Sequence, residues 1–121
     1  MAQNTQGNVG GLPKILYQGL LADAQATLYT APTQPPNARV EISAIWICNA
    51  DSAIRQCTLR VGDGVLTAAN NLVGGAHIQA NTTYIVFDQS PFTMTAGSSI
   101  SGFCDVADKI SVTVFGKVWA S

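Results

Sequence analysis

The side chains able to do chemistry are few. The chain has one histidine, His77, in Gly74-Gly75-Ala76-His77-Ile78, three cysteines (Cys48, Cys57 and Cys104) and seven carboxylates: Asp23, Glu41, Asp51, Asp63, Asp88, Asp105 and Asp108. Nucleophilic catalysis needs a hydroxyl or thiol beside a base that a third group orients. His77 is the sole imidazole, and no Gly-x-Ser-x-Gly elbow accompanies it. Most of the acids fall at inferred turns, where Asp turns and caps backbone, so a catalytic carboxylate pair would have to arise by accident of folding. One His and three dispersed Cys lack zinc spacing, and Asp63-Gly64 does not open a calcium loop. Gly62-Asp63-Gly64 and Gly74-Gly75 lack the strand-to-helix setting of a phosphate cradle. The expectation is a protein that is not an enzyme, with no cofactor and no metal.

The elements that would position any site must come from one domain, because the chain has 121 residues. Charged residues make up 11% and hydrophobic ones 47%, against roughly 25% charged in an ordinary soluble domain. Six cations and seven anions leave a net charge of −1 with no charged run. Six scattered cations do not make a phosphate-neutralising patch, which argues against nucleic acid as a partner. A near-neutral surface also lacks the self-repulsion that keeps molecules apart, and so favours self-association or docking onto a larger body.

The opening residues carry neither a basic nor an apolar region of the secretory kind, which predicts synthesis in the cytosol. The strongest apolar run, Val40 to Cys48, is interrupted by Glu41 and Ser43 and is too short to span a bilayer, so no membrane insertion is expected. The cysteines lie in alternating apolar runs and read as reduced core thiols, with a bridge between two facing strands as the alternative. Asn81-Thr82-Thr83 reads as a polar turn before a strand.

Residues 1–13 are rich in Gly, Gln and Asn and lack the apolar area to fold alone, so they read as a flexible arm ahead of a domain at 14–121. Lys14 to Leu21 reads as an edge strand, and Thr27 to Thr30 as a strand stopped by Pro32 and Pro35-Pro36. From Arg39 to Asn49, Val40, Ile42, Ala44, Trp46 and Cys48 alternate with Arg39, Glu41, Ser43, Ile45, Ile47 and Asn49. Ile54 to Val61 continues the pattern and closes at Gly62-Asp63-Gly64, a tight-turn signal. Val65 to Gly75 reads as a loop or brief helix. Strands are expected at Thr83 to Phe87, Phe92 to Met94, Ser99 to Val106 and Lys109 to Trp119. Seven or eight short strands with turns between them and no amphipathic helix predict an all-β antiparallel sandwich, jelly-roll-like, with an extended N-terminal arm. Ile45, Ile47, Phe103, Phe115 and Trp119 fall opposite the better core faces of their strands, which makes them the expected oligomer interface, the alternative being that both faces are partly covered within the fold, for instance by the proline-bearing loop.

Pro13-Lys14-Ile15-Leu16-Tyr17-Gln18-Gly19, followed by Ala26-Thr27-Leu28-Tyr29-Thr30-Ala31-Pro32, resembles small virion proteins of tailed bacteriophages. In these a "TLYTxP" strand leads to a strand ending in "CN", here Cys48-Asn49. Met94-Thr95-Ala96-Gly97-Ser98-Ser99-Ile100 is similar to their "L-x-A-G-D-x-I" segment, with Ser98 where Asp is commoner. Ser111 to Val118 is like their closing strand, so the likeness covers about residues 13–119. The proline-bearing Pro32 to Pro36 loop is longer than theirs. The resemblance implies a β-sandwich on the virion: a capsid decoration, or cement, protein assembling as a homotrimer on the major capsid protein, with a tail, baseplate or fibre module as the alternative. In the decoration reading the arm grips the shell through Gln3, Asn4, Gln6, Asn8, Val9 and Leu12. In the tail reading Trp46, Tyr84 or Trp119 would stack on sugars, as they would in a small carbohydrate-binding module unrelated to virions.

Overall fold

The computed structural model describes residues 14–33, 38–86 and 92–119. Its strands are β1 (Lys14–Leu20), β2 (Ala26–Thr30), β3 (Arg39–Asn49), β4 (Arg55–Gly62), β5 (Asn71–Ile78), β6 (Thr82–Val86), β7 (Phe92–Thr95), β8 (Ser99–Cys104) and β9 (Ile110–Trp119), with a short 3-10 helix at Ala68–Asn70. All pairings are antiparallel and form two sheets, one ordered β1-β9-β3-β6 with β7 also on β3, the other β2-β8-β4-β5. The pairs are nested: β4 with β5, β3 with β6, β2 with β8, β1 with β9. A long hairpin rolled on itself produces this order, which is the jelly-roll arrangement of two packed sheets. β7 is the one addition. β6 pairs only with Ile45 to Asn49 of the long strand β3, and β7 occupies the remaining edge at Arg39 to Ile42.

The core lies between the sheets. Val40, Ile42, Ile45, Ile47, Ile110, Val112 and Val114 from the first sheet meet Cys57, Leu59, Val73, Ile78 and Ile100 from the second, all buried. Glycine lets strands approach where a side chain would not fit. A Cβ on Gly116 would press on the Glu41 carbonyl oxygen and the Leu16 side chain, so β9 can lie against β3 at this point only without one.

One feature of β3 redirects half of its side chains. Its register with β9 slips between Ile42 and Ala44, a β-bulge at Ser43 whose hydroxyl donates to the Phe115 carbonyl at 3.2 Å. A bulge inserts one residue and so reverses the alternation beyond it. Val40 and Ile42 face the core before it, and Ile45, Ile47 and Asn49 face the core after it, each with no exposed surface. Trp46 turns outward and is 45% exposed. The expectation that Ile45 and Ile47 form an oligomer interface is therefore corrected: uninterrupted alternation put them outside, and the bulge puts them in the centre of the sandwich.

Two other expectations change. Gly62-Asp63-Gly64 does not make a two-residue hairpin; Gly62 and Gly64 have φ of 158° and 69°, and the chain continues through the 3-10 helix before β5 begins. β5 itself lies largely inside the segment read as loop or helix. The arm at 1–13, with Gln3, Asn4, Gln6, Asn8, Val9 and Leu12, lies outside the described residues, as does most of the proline-bearing loop.

Candidate interaction face

The outer face of the first sheet is built rung by rung from the strand registers. Ile15 of β1, Phe115 of β9 and Ala44 of β3 share one rung. Gln18, Thr113, Trp46 and Ile85 of β6 share the next, and Leu20, Ser111, Cys48 and Thr83 the third. The large apolar members are open to solvent: Ile15 and Ile85 are about half exposed, Leu20 slightly more. Trp46 meets Phe115 edge to face, ring centroids 5.0 Å apart at 63°, a geometry the ring quadrupoles favour. Polar groups here are neutral; Gln18 donates to the Thr113 hydroxyl at 3.1 Å. The charged residues of this face sit at its far end. There Glu41 lies opposite Lys117, and the Arg39 guanidinium rests 5.3 Å from the centre of the Trp119 ring.

The five residues expected at the interface thus separate. Phe115 belongs to the apolar cluster, Trp119 to the charged end of the same face, and Ile45 and Ile47 to the core. Phe103 lies on the outer side of the second sheet, under Arg60 at 5.3 Å. The expected oligomer interface leaves out Ile15, Leu20, Trp46 and Ile85; Trp46 is singled out from the sequence only as a sugar-stacking candidate, and the signal missing for its place on this face is the bulge at Ser43.

The second sheet's outer side has a different character. The Arg60 guanidinium donates to Asn71 at 2.9 Å and Gln25 at 2.5 Å. Next to it a cleft of about 200 Å³ is bordered by Asp23, Gln56, Phe103 and Asp105. His77 pairs with the Gln56 amide at 2.9 Å, so the imidazole's described partner is an amide. Arg55 binds Asp51 at 2.6 Å, and that hydrogen bond, with one from the Ser52 backbone, holds the Asp51 carboxyl below its ordinary value. Among the described residues no three His, Cys, Asp or Glu side chains converge where a metal ion could bind, and no helix is long and apolar enough to cross a membrane.

Asn49, the residue that closes the Cys-Asn pair, ties the two sheets together. It is fully buried. Its amide donates to the Ala53 carbonyl at 2.8 Å and to the Ile78 carbonyl, at the end of β5, at 2.9 Å, while its oxygen accepts from the Asp51 backbone at 2.9 Å. The motif residue thus has a structural task with all of these bonds made inside the fold.

No protein-family model and no curated protein sequence matches the chain. Among solved structures it is similar to a chain of infectious bursal disease virus, Gx strain, with a TM-score of 0.47 and 12% identity over 94% of this chain and 33% of that one. The chain therefore spans about a third of that neighbour's length. It is also similar to a chain from Bacillus endospore appendages, described as disulfide-linked pili, with a TM-score of 0.45 and 14% identity over 98% of each chain.

Proposed function

We propose that this chain is a non-catalytic structural subunit that associates with copies of itself through the outer face of the β1-β9-β3-β6 sheet, and that it serves as a capsid decoration protein of the tailed-phage kind. The observation that carries the reading is the group Ile15, Leu20, Trp46, Ile85 and Phe115 on one sheet face, in a chain with 11% charged residues. Large apolar side chains gathered on one exposed sheet face mark interaction surfaces more often than chance exposure does. The decoration role adds the resemblance of residues 13–119 to small phage virion proteins. A subunit that binds only the assembled shell stabilises it by its binding free energy, multiplied over many equal copies. The major capsid protein would be the partner, trimers the assembled unit, and the virion the location.

A second reading is favoured by the cleft on the opposite sheet. An aromatic ring, two carboxylates and an amide around about 200 Å³ of space are the groups that recognise a sugar, by stacking and by hydrogen bonds. That arrangement suits a tail, fibre or carbohydrate-binding module.

Sedimentation of the purified protein at micromolar concentration tests the first reading. The wild type is expected to be a multimer and Trp46→Asp a folded monomer. A wild type that stays monomeric to about 100 μM, where even interfaces with micromolar dissociation constants would be filled, overturns it. Binding of the wild type, and of a chain lacking residues 2–12, to phage heads stripped of this subunit tests the role itself. Loss of binding with retained oligomerisation is expected for the shortened chain, and wild-type protein that ignores the heads would refute decoration.

A further inference from the structure

Cys57 on β4 and Cys104 on β8 are register partners on the two central strands of the second sheet, both are free thiols, and both point into the core. The kind of pair they form follows from the flanking hydrogen bond. The Asp105 amide donates to the Gln56 carbonyl at 3.1 Å, joining the residues just outside the two cysteines. Cys57 and Cys104 are therefore a non-hydrogen-bonded pair of the antiparallel ladder, the kind in which Cα atoms lie closest, about 4.5 Å apart. Disulfides span Cα separations of about 4.4–6.8 Å. The bridge would fit this rung with no change of register.

We propose that Cys57 and Cys104 are a built-in disulfide site that closes across β4 and β8 when the chain folds in the presence of a disulfide oxidant. In the reduced protein the Cys104 thiol donates to the Val106 carbonyl at 2.8 Å and lies 3.6 Å from the Leu21 and Ala22 carbonyls. Closing the bridge turns this sulfur from those carbonyls toward Cys57, a rotation about one side-chain bond. Cys48 cannot substitute for either partner, because it lies on the outer side of the other sheet.

With glutathione disulfide as oxidant the step balances. One cysteine thiolate attacks the glutathione disulfide, forming a mixed disulfide and expelling a glutathione thiolate. The second cysteine thiolate attacks the protein sulfur of the mixed disulfide and expels the second glutathione. The two protons lost by the cysteines end on the two glutathione thiols, and the electron pair taken from the cysteines reduces the glutathione disulfide. Burial and the neighbouring Cys104 push the Cys57 thiol up to about 12, and burial raises Cys104 also. Thiolate is the attacking species, so the exchange belongs to the folding or locally opened chain and is slow once the sandwich has closed.

The test refolds the full chain, and a Cys48→Ala variant, from denaturant with either glutathione disulfide or a reductant. The expected product under oxidation has lost the mass of two hydrogen atoms. A peptide containing Cys57 is joined to one containing Cys104, and the melting temperature is higher by on the order of 10 °C than in the reduced form. Cys48→Ala/Cys57→Ser should melt at the same temperature under both conditions. Adding glutathione disulfide to the already folded protein should give the same bond at least tenfold more slowly. Free thiols at both positions after oxidative refolding, a bond through Cys48 in the full chain, or a bridged form that melts no higher than the reduced one would each overturn the proposal.

Discussion

Ile47 and Ile85 lie on neighbouring strands of one sheet and differ mainly in the side they face, so replacing each by alanine measures the consequence of the Ser43 bulge with the chemistry held constant. Ile47 has no exposed surface, and Ile85 is 51% exposed. Ile→Ala removes three carbon groups, worth about 0.8 kcal/mol each when fully buried, or ~2.4 kcal/mol at Ile47. The cavity left between two packed sheets adds to this and brings the loss to about 3–4 kcal/mol, inside the range of ~2–5 kcal/mol for such sites. At Ile85 half of the transfer energy and no enclosed cavity give about 1 kcal/mol. Urea denaturation followed by fluorescence should separate the variants by ~2–3 kcal/mol, equivalent to roughly 10 °C in melting temperature. The comparison belongs at low protein concentration, because association stabilises any multimer by mass action and would add a cost at Ile85 that has nothing to do with folding. If Ile85→Ala cost as much as Ile47→Ala in the monomer, or Ile47→Ala cost under about 1 kcal/mol, the reversal of faces at the bulge would be wrong, and with it the identity of the exposed cluster.

Asn49→Ala should lower stability by ~3 kcal/mol in denaturant titration, since it deletes three hydrogen bonds and strands the Ile78 carbonyl beside the core; a loss below about 1 kcal/mol would mean that the two sheets do not depend on this link. Gly116→Ala should cost at least ~1–3 kcal/mol by thermal melting, because its methyl meets the Glu41 carbonyl and Leu16, whereas Gly64→Ala, with open space around it, should cost only the ~1 kcal/mol of an unfavourable φ. Asp51 is held below its ordinary 3.8 by Arg55 and the Ser52 backbone, so its contribution is intact above pH 3.8 and fades as the pH falls toward the depressed folded value. An acid titration of melting temperature should therefore fall less steeply for Asp51→Asn than for the wild type in that window, and parallel curves would refute the assignment.

The sandwich was legible because the strand signals have a simple physical origin. β9 alternates without interruption from Ile110 to Trp119, and its even positions through Gly116 are buried, as period-two geometry requires. β5 was hidden because Asn71, Gly74 and Gly75 have low strand propensity. It forms nonetheless, because β4 offers it a hydrogen-bonding edge and the core accepts Val73 and Ile78. The bulge in β3 was hidden for another reason. The apolar positions of β3 change phase, from Val40 and Ile42 to Ile45 and Ile47, and one extra residue at Ser43 lets both pairs enter the core while β3 stays paired with the uninterrupted β9. That single residue is why alternation alone assigns Ile45 and Ile47 to the outer face, since everything after it in β3 changes sides.

The two outer faces now explain how so sparsely charged a chain can still have direction. Charge is not spread evenly over the sandwich. Arg55, Arg60, Asp51 and Asp105 cluster around the second sheet, where they pair with one another, with neutral partners or with the Phe103 ring. Among the described residues, the rungs in the middle of the first sheet's outer face carry none, and the charged Arg39, Glu41 and Lys117 of its strands stand at one end. A desolvated contact over the middle would strand no ion there, which is the usual penalty when charged surface is buried. Burying the other sheet would require desolvating several. Association should therefore be face-specific and weakly dependent on salt, since screening acts on charges and not on apolar area. Sedimentation at low and high salt separates the cases: a multimer held through the first sheet persists or strengthens as salt rises, and one that dissociates would place the contact on the charged side instead.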